Sequence, residues 1–343
     1  MQHPRDILLG AQARTGVLPV CDHYSGVPAR MAKSLALQAE LLQELGACVV
    51  DVTLDCEDGA PSGGEVEQAH AVCELLQRYT RSHGAPSAAV RPRIGARLHA
   101  VDHAHFESDV AIIVGGAASA LSYLMVPKVE SVDDVNMALR TIDAAAGVAT
   151  LPLHVLIESP AAVQQAFAIA AHPRVQSLSF GLMDFVSAHG GAIPSSAMGL
   201  RSRDDVDTLD QFHHPLVMRA KLEIASACHA YGKVPSHCVV TELRDAAALE
   251  SAARYAATAL GYTRMWSIHP DQIRPILHGF SPLASEVDLA ARIVESASRA
   301  DWAPIAVDGK LHDRASYRYF WQVLERAHQT GQALPAELQH YFV

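Results

Sequence analysis

The sequence predicts an α/β fold: eight parallel strands, each followed by a helix, closed into a TIM-type (β/α)8 barrel with extra C-terminal helices. Three observations carry that expectation. Strand-like apolar runs alternate with helical patterns along the chain. The runs are near-continuously apolar, as strands covered on both faces must be. The 343 residues, 50% of them hydrophobic, are enough for one large core. An open doubly wound sheet is the competing architecture. It usually carries a Gly-rich first turn, and the chain has neither G-x-G-x-x-G nor a P-loop.

The expected strands follow from the apolar runs. They are Leu18 to Cys21, Val49 to Asp55, Ala88 to Ile94, Tyr123 to Val129, Leu153 to Ile157, Val175 to Gly181, Lys233 to Val240 and Arg264 to His269. Helical periodicity fills the gaps. The expected helices are Ala29 to Leu45, Gly64 to Ser82, His105 to Ala118, Val132 to Ala146 and Ala161 to Ala171, then Gln211 to Tyr231, Glu242 to Leu260 and Pro270 to Leu277. Residues 1–280 are therefore expected to form the catalytic barrel, and residues 281–343 a C-terminal helical extension. Segment Val186 to Asp210 carries Gly190-Gly191, Pro194 and many polar residues, and reads as a mobile loop over one end of the barrel.

Composition excludes several classes of function. The formal net charge is −10, and no Lys/Arg-rich run breaks that acidity, so a nucleic-acid partner is not expected. No run of about 18 apolar residues is available to span a membrane. The first residues lack a basic segment leading into an apolar one, so a signal peptide is not expected. The six cysteines form no C-x-x-C pair and read as reduced, mostly buried thiols of a cytoplasmic protein.

The most informative stretch is Thr53-Leu54-Asp55-Cys56-Glu57-Asp58-Gly59-Ala60-Pro61. An apolar strand delivers Asp55, Glu57 and Asp58 and then breaks at Gly59 and Pro61. Acids at the end of a buried strand need a cation, an arginine or a backbone nest. The plainer alternative is a solvated, acid-rich turn. In an α/β barrel the C-terminal ends of the strands face the active site. Strand five ends in Glu158 and strand six leads into Asp184. Neighbouring strands lie about 4.8 Å apart, so these two carboxylates can share one ion. Two hard oxygen ligands suit Mg²⁺, with Mn²⁺ possible. The alternative is that each acid caps the helix after it. Strand three offers Arg91 and Arg93, either of which would meet an anion, and periodicity leaves the choice open because Pro92 interrupts the alternation. Strand four ends in Pro127-Lys128-Val129-Glu130.

Other polar clusters carry less. His99, His103 and His105 read as a solvated loop entering a helix. His213-His214 precedes a proline and reads as a helix entry. Ser236-His237-Cys238 has no second base, and Ser195-Ser196 lacks the G-x-S-x-G context.

With these residues placed, the chain resembles the citrate lyase beta subunit-like family of the HpcH/HpaI aldolase/citrate lyase superfamily, near the malyl-CoA lyases. Asp55-Cys56-Glu57-Asp58-Gly59-Ala60-Pro61 is similar to the family's D-x-E-D-A-V-P turn, and Ala89-Val90-Arg91 to its V-R strand. Val126 to Glu130 is similar to P-K-V-E, Ile157 to Ser159 to I-E-T, Phe180 to Asp184 to F-G-x-x-D, and Ile268 to Ile273 to I-H-P-x-Q-I. The keto-acid aldolases of the superfamily carry D-x-E-H, and Asp58 stands where their histidine would. Two further departures are the missing asparagine of R-I-N, where the chain has Arg91-Pro92-Arg93, and Pro235-Ser236-His237 in place of an aspartate-glycine.

The resemblance implies Mg²⁺ on Glu158 and Asp184, with Arg91 on the substrate's oxygens. Lys128 and Pro127 are expected to line the substrate site, and Asp55, Glu57 and Asp58 to support the catalytic arrangement. The implied activity is carbon–carbon lysis of a small 3-hydroxy acid or its CoA thioester through a stabilised enolate, in a homo-oligomer, a trimer or hexamer. Two alternatives are a metal-dependent acyl thioester hydrolase and a non-catalytic binder of a small organic acid.

Overall fold

The computed structural model describes residues 3–10, 17–60, 62–83, 92–147, 150–202, 204–205 and 207–342. Eight parallel strands close into a barrel in sequential order. They are β1 (Cys21–Ser25), β2 (Val50–Asp55), β3 (Arg93–Arg97), β4 (Tyr123–Val126), β5 (Leu153–Ile157), β6 (Val175–Phe180), β7 (Val234–His237) and β8 (Arg264–Ser267). β1 pairs with both β2 and β8, which closes the ring. The strands are buried along almost their whole length, because helices cover the outside and side chains fill the inside.

The helices expected from periodicity form at Pro28–Leu45, Glu65–His83, Val132–Ala146, Pro160–Ala171, Pro215–Ala230, Ala246–Thr258 and Ile273–Phe280. Their starts have local causes. Proline sits in the first turn after Val27, Ser159 and His214, where its missing N–H costs nothing. The Ser159 hydroxyl and the Asp245 carboxylate each accept the N–H three residues on. The helix after β3 is interrupted by a π-helical turn at Val110–Val114.

Strand three corrects the sequence expectation. Residues 88–91 lie outside the described residues, and the strand runs from Arg93 to Arg97. Gly95 looks like a strand breaker but is a spacer. It pairs with Tyr123 on β4, and a Cβ at Gly95 would come within 2.2 Å of the Tyr123 ring. Strand one also lies further on than its apolar run suggests. Its polar residues are buried: Asp22 pairs with Arg264, and Thr53 donates to Asp22 at 2.7 Å. Polar side chains satisfied inside a barrel do not show in a hydropathy pattern.

Beyond Phe280 come helices Ala284–Arg299, Arg314–Gln329 and Ala336–Gln339, with a hairpin of β9 (Ile305–Val307) and β10 (Lys310–His312). They pack around Trp321, Tyr317 and Ile293, together with Leu8 and Leu9 of the first helix, Pro4–Leu9. The N-terminus thus completes the apolar core of the C-terminal region. No helix among the described residues is long and apolar enough to cross a membrane.

Candidate metal and substrate site

The strand ends converge on a cavity of about 170 Å³, whose lining includes Asp58, Arg97, Glu158, Asp184, Tyr24 and Trp266. Asp55 organises its rim. The carboxylate is fully buried and accepts the N–H groups of Glu57 at 3.0 Å and Gly59 at 2.9 Å. The turn therefore winds around it. At Gly59 a Cβ would fall 2.1 Å from Asp55 Oδ2, so this turn requires glycine.

The same carboxylate grips Arg97 from the facing end of β3, with Nε to Oδ1 at 2.6 Å and Nη2 to Oδ2 at 2.5 Å. Arg97 Nη1 pairs with Glu57 at 2.8 Å, and the guanidinium lies over the Tyr24 ring at 5.1 Å. Burial works against the Arg97 charge, but Asp55 and Glu57 outweigh it and raise its pKa further. A guanidinium has five N–H groups. Three are committed here, and the rest remain for a ligand in the cavity. The acid-rich turn is thus not a solvated loop: Asp55 and Glu57 are buried, while Asp58 is exposed at the rim.

Lys128 crosses the rim. Its Nζ pairs with Glu57 and lies 3.4 Å from Asp58. Burial opposes its charge, and the Glu57 hydrogen bond overcomes that and raises its pKa. Its φ of 52° is unusual for a side chain-bearing residue. That conformation accompanies a backbone N–H donated to Glu158 Oε1. Glu158 is buried, and burial together with Asp184 pushes its carboxyl up to about 8. Gly181 makes room for it, because a Cβ there would meet Glu158 Oε2 at 2.4 Å.

A divalent cation fits these residues. Two carboxylates share one cavity, and one of them is held back from ionising by burial and by the other. A bound cation would reverse both effects. No group of three or more His, Cys, Asp or Glu among the described residues could hold a metal ion. The remaining positions around a hard ion then fall to water and substrate oxygens, the arrangement usual for Mg²⁺. Trp266 adds one more donor: its indole N–H is buried and meets no partner among the described residues.

Glu158, Asp184, Asp58, Asp55, Glu57 and Lys128 are therefore brought together, with Pro127 buried beside Lys128. Arg91 lies outside the described residues. Among the described residues the arginine in the site is Arg97, and Arg93 is held by Asp51 at the other end of β3. The sequence expectation also omits Tyr24 and Trp266. The signal for Arg97 is present in Ala96-Arg97-Leu98-His99, which fits V-R-I-N with histidine for asparagine. That histidine is not in a solvated loop. His99 is buried and donates its backbone N–H and pairs its Nδ1 with Asp109 Oδ2, at 2.9 and 2.7 Å, with His103 stacked 4.4 Å away.

The chain matches the HpcH/HpaI aldolase/citrate lyase family over residues 36–270. It is 45% identical to a citrate lyase of solved structure from Burkholderia xenovorans LB400, covering 99% of this chain and all of that one, with a TM-score of 0.77. It is 26% identical to the L-malyl-CoA/beta-methylmalyl-CoA lyase of Cereibacter sphaeroides over 84% of this chain and 90% of that one. The CitE protein of Mycobacterium tuberculosis, solved with magnesium, acetoacetate and coenzyme A, shares the fold at 22% identity. Its TM-score is 0.65, over 90% of this chain and 98% of that one.

Proposed function

The chain belongs to the HpcH/HpaI aldolase/citrate lyase family and is a carbon–carbon lyase, and we propose that it cleaves a 3-hydroxyacyl-CoA thioester of the malyl-CoA type. The observation that carries this reading is one cavity holding the paired acids Glu158 and Asp184 beside the fixed guanidinium of Arg97. Glu158 and Asp184 would hold Mg²⁺, which supplies positive charge where enolate charge develops.

The chain's own groups do the rest. Asp55 and Glu57 fix Arg97 so that its remaining N–H groups face the cavity, and an oriented donor costs no reorganisation during reaction. The Lys128 N–H holds one oxygen of Glu158. Asp58 lines the cavity without contacting Arg97, and we assign it the substrate's hydroxyl proton. Loss of that proton turns the C–O bond into a carbonyl. The adjacent C–C bond breaks, and its electron pair becomes the enolate of the thioester. A proton at that carbon then completes the second product. A homo-oligomer in the cytoplasm is part of the same reading, and light scattering tests the oligomer.

The test is a Mg²⁺-dependent screen of malyl-, citramalyl- and citryl-type substrates, with and without CoA. A keto acid or glyoxylate released together with an acyl-CoA is expected. Free CoA without carbon-bond cleavage would make the protein a hydrolase. Pyruvate release from 4-hydroxy-2-keto acids at ordinary enzymatic rates, about 1 s⁻¹ or more, would move it to the aldolase branch despite Asp58.

A further inference from the structure

A second cavity, about 340 Å³, lies at the opposite end of the barrel, between the starts of β7 and β8 and the helix Arg314–Gln329. Its lining includes Arg5, Lys233, Arg326, His229 and Glu325. Glu325 is the acid among these, and it is engaged by Arg5. Lys233 Nζ donates to the carbonyls of His172 at 3.1 Å and Val175 at 2.7 Å. Arg326 Nη1 donates to the carbonyl of Thr263 at 2.7 Å, and its guanidinium lies 6.0 Å from the Phe280 ring. Among the described residues, neither cation pairs with a carboxylate. Both retain N–H groups beyond those contacts.

Half-buried cations without an anion are costly. Burial lowers the pKa of Lys233, and it brings Arg326 down to about 10. Among the buried cations of the described residues, Arg97 is met by Asp55 and Glu57 and Arg264 by Asp22 and Asp51, whereas Lys221 donates to the amide oxygen of Gln211 at 2.9 Å. Here the acid at hand is Glu325, whose charge raises the Arg326 pKa but which is paired with Arg5, so the cavity carries an excess of positive charge.

We propose that this cavity binds a small oxyanion, of the size of phosphate or a short dicarboxylate, between Lys233 and Arg326. The site is separate from the strand-end cavity. Lys233 and Thr263 belong to the barrel and Arg326 to the C-terminal helix, so an anion there ties the two together.

Titration calorimetry of the full Mg²⁺-loaded chain with inorganic phosphate, and separately with malate, at fixed ionic strength tests this. Saturable binding of one of the two is expected. Lys233→Met and Arg326→Met should each weaken it by about ten-fold or more, the usual scale for losing a charge-assisted contact. Asp184→Asn, which acts on the other cavity, should leave it unchanged. If Arg326→Met fails to fold, Lys233→Gln supplies the same reading. No saturable binding of either anion would overturn the proposal. So would affinity that survives the Lys233 variants, or affinity lost in Asp184→Asn, which would place the anion at the metal.

Discussion

Two buried arginines occupy opposite ends of the barrel and differ in their surroundings. Arg264, low in the barrel, is held by Asp51 at 2.6 Å and Asp22 at 2.9 Å. Arg97, at the top, is held by Asp55 at 2.5 Å and Glu57 at 2.8 Å. Each is a guanidinium between two acids, and burial alone does not separate them. Their balance does. Around Arg264 the acids Asp22 and Asp51 meet two cations among the described residues, Arg264 and the Arg93 that pairs with Asp51, so acids and cations match. His154 beside them is pushed down by burial and by these cations and stays neutral. Around Arg97 the acids Asp55, Glu57, Asp58, Glu158 and Asp184 face two cations, Arg97 and Lys128. A closed ion network is architecture, whereas an excess of one sign at the mouth of a cavity marks a place for an ion.

The sharpest break in that comparison comes from removing the excess. Asp184→Asn or Glu158→Gln should weaken Mg²⁺ binding by orders of magnitude while unfolding remains cooperative. Arg264→Met should do the reverse. It leaves Asp22 without its cation and Asp51 with Arg93 alone, which costs roughly 3–5 kcal/mol, and it should leave Mg²⁺ affinity in the surviving folded protein nearly unchanged. Calorimetry with Mg²⁺ and urea unfolding on all three variants check the two halves together. Parallel losses of Mg²⁺ affinity would show that the two ends are coupled.

A smaller effect is expected where charge is kept and geometry lost. Arg97→Lys retains a cation but not the planar fork that meets both Asp55 and the cavity. Turnover should fall by about 100-fold, the scale of one lost oxyanion donor, with Mg²⁺ affinity little changed. Arg91→Lys measured alongside decides between the two arginines: equal turnover losses would show that Arg91 also acts on the substrate.

The barrel was legible because its helices and most of its strands are apolar at the right spacing. The two acids that follow β5 and β6 were legible because each is alone after an apolar run, although Asp184 sits in the first turn of the short helix Leu182–Ser187 rather than on the strand. Arg97 was not, for a physical reason. Its strand contains Gly95, which looks like a break but exists to admit the Tyr123 ring. The apolar run read from Ala88 stops at Ile94, three residues short of Arg97. His99 was hidden by the two histidines that follow it, which make a buried side chain look like part of a polar loop. The contact of Arg326 with Thr263 could not be read at all, because it arises only when the C-terminal helix meets the far end of the barrel.

Glycines sharpen the comparison at a finer scale. Gly181→Ala places a methyl where Glu158 Oε2 now lies, 2.4 Å away, so the carboxylate must shift. Gly115→Ala meets nothing within 4 Å and serves as the control. A roughly ten-fold loss of Mg²⁺ affinity is expected for Gly181→Ala, the scale reported for disturbing the groups that orient a metal ligand. Metal titrations giving equal affinities for the two variants would mean that Glu158 is not a ligand.

The smallest effect concerns His99, which sits two residues beyond Arg97 at the acidic end. The hydrogen bond to Asp109 raises its pKa above the ordinary 6.5, burial opposes that, and the Asp109 and Glu57 charges add to the rise. A histidine with a raised folded pKa binds protons more tightly folded than unfolded. Its contribution is therefore fully present below about pH 6.5 and fades as pH climbs through the folded value. No such slope is expected from Arg264, which stays charged throughout. The measurement is the urea stability of the wild type minus that of His99→Asn, taken at pH 5.5 and again at pH 9. A larger difference at pH 5.5 is expected. Equal differences at the two pH values would mean that His99 is neutral in the folded protein, and that the acid excess at this end of the barrel does not extend to it.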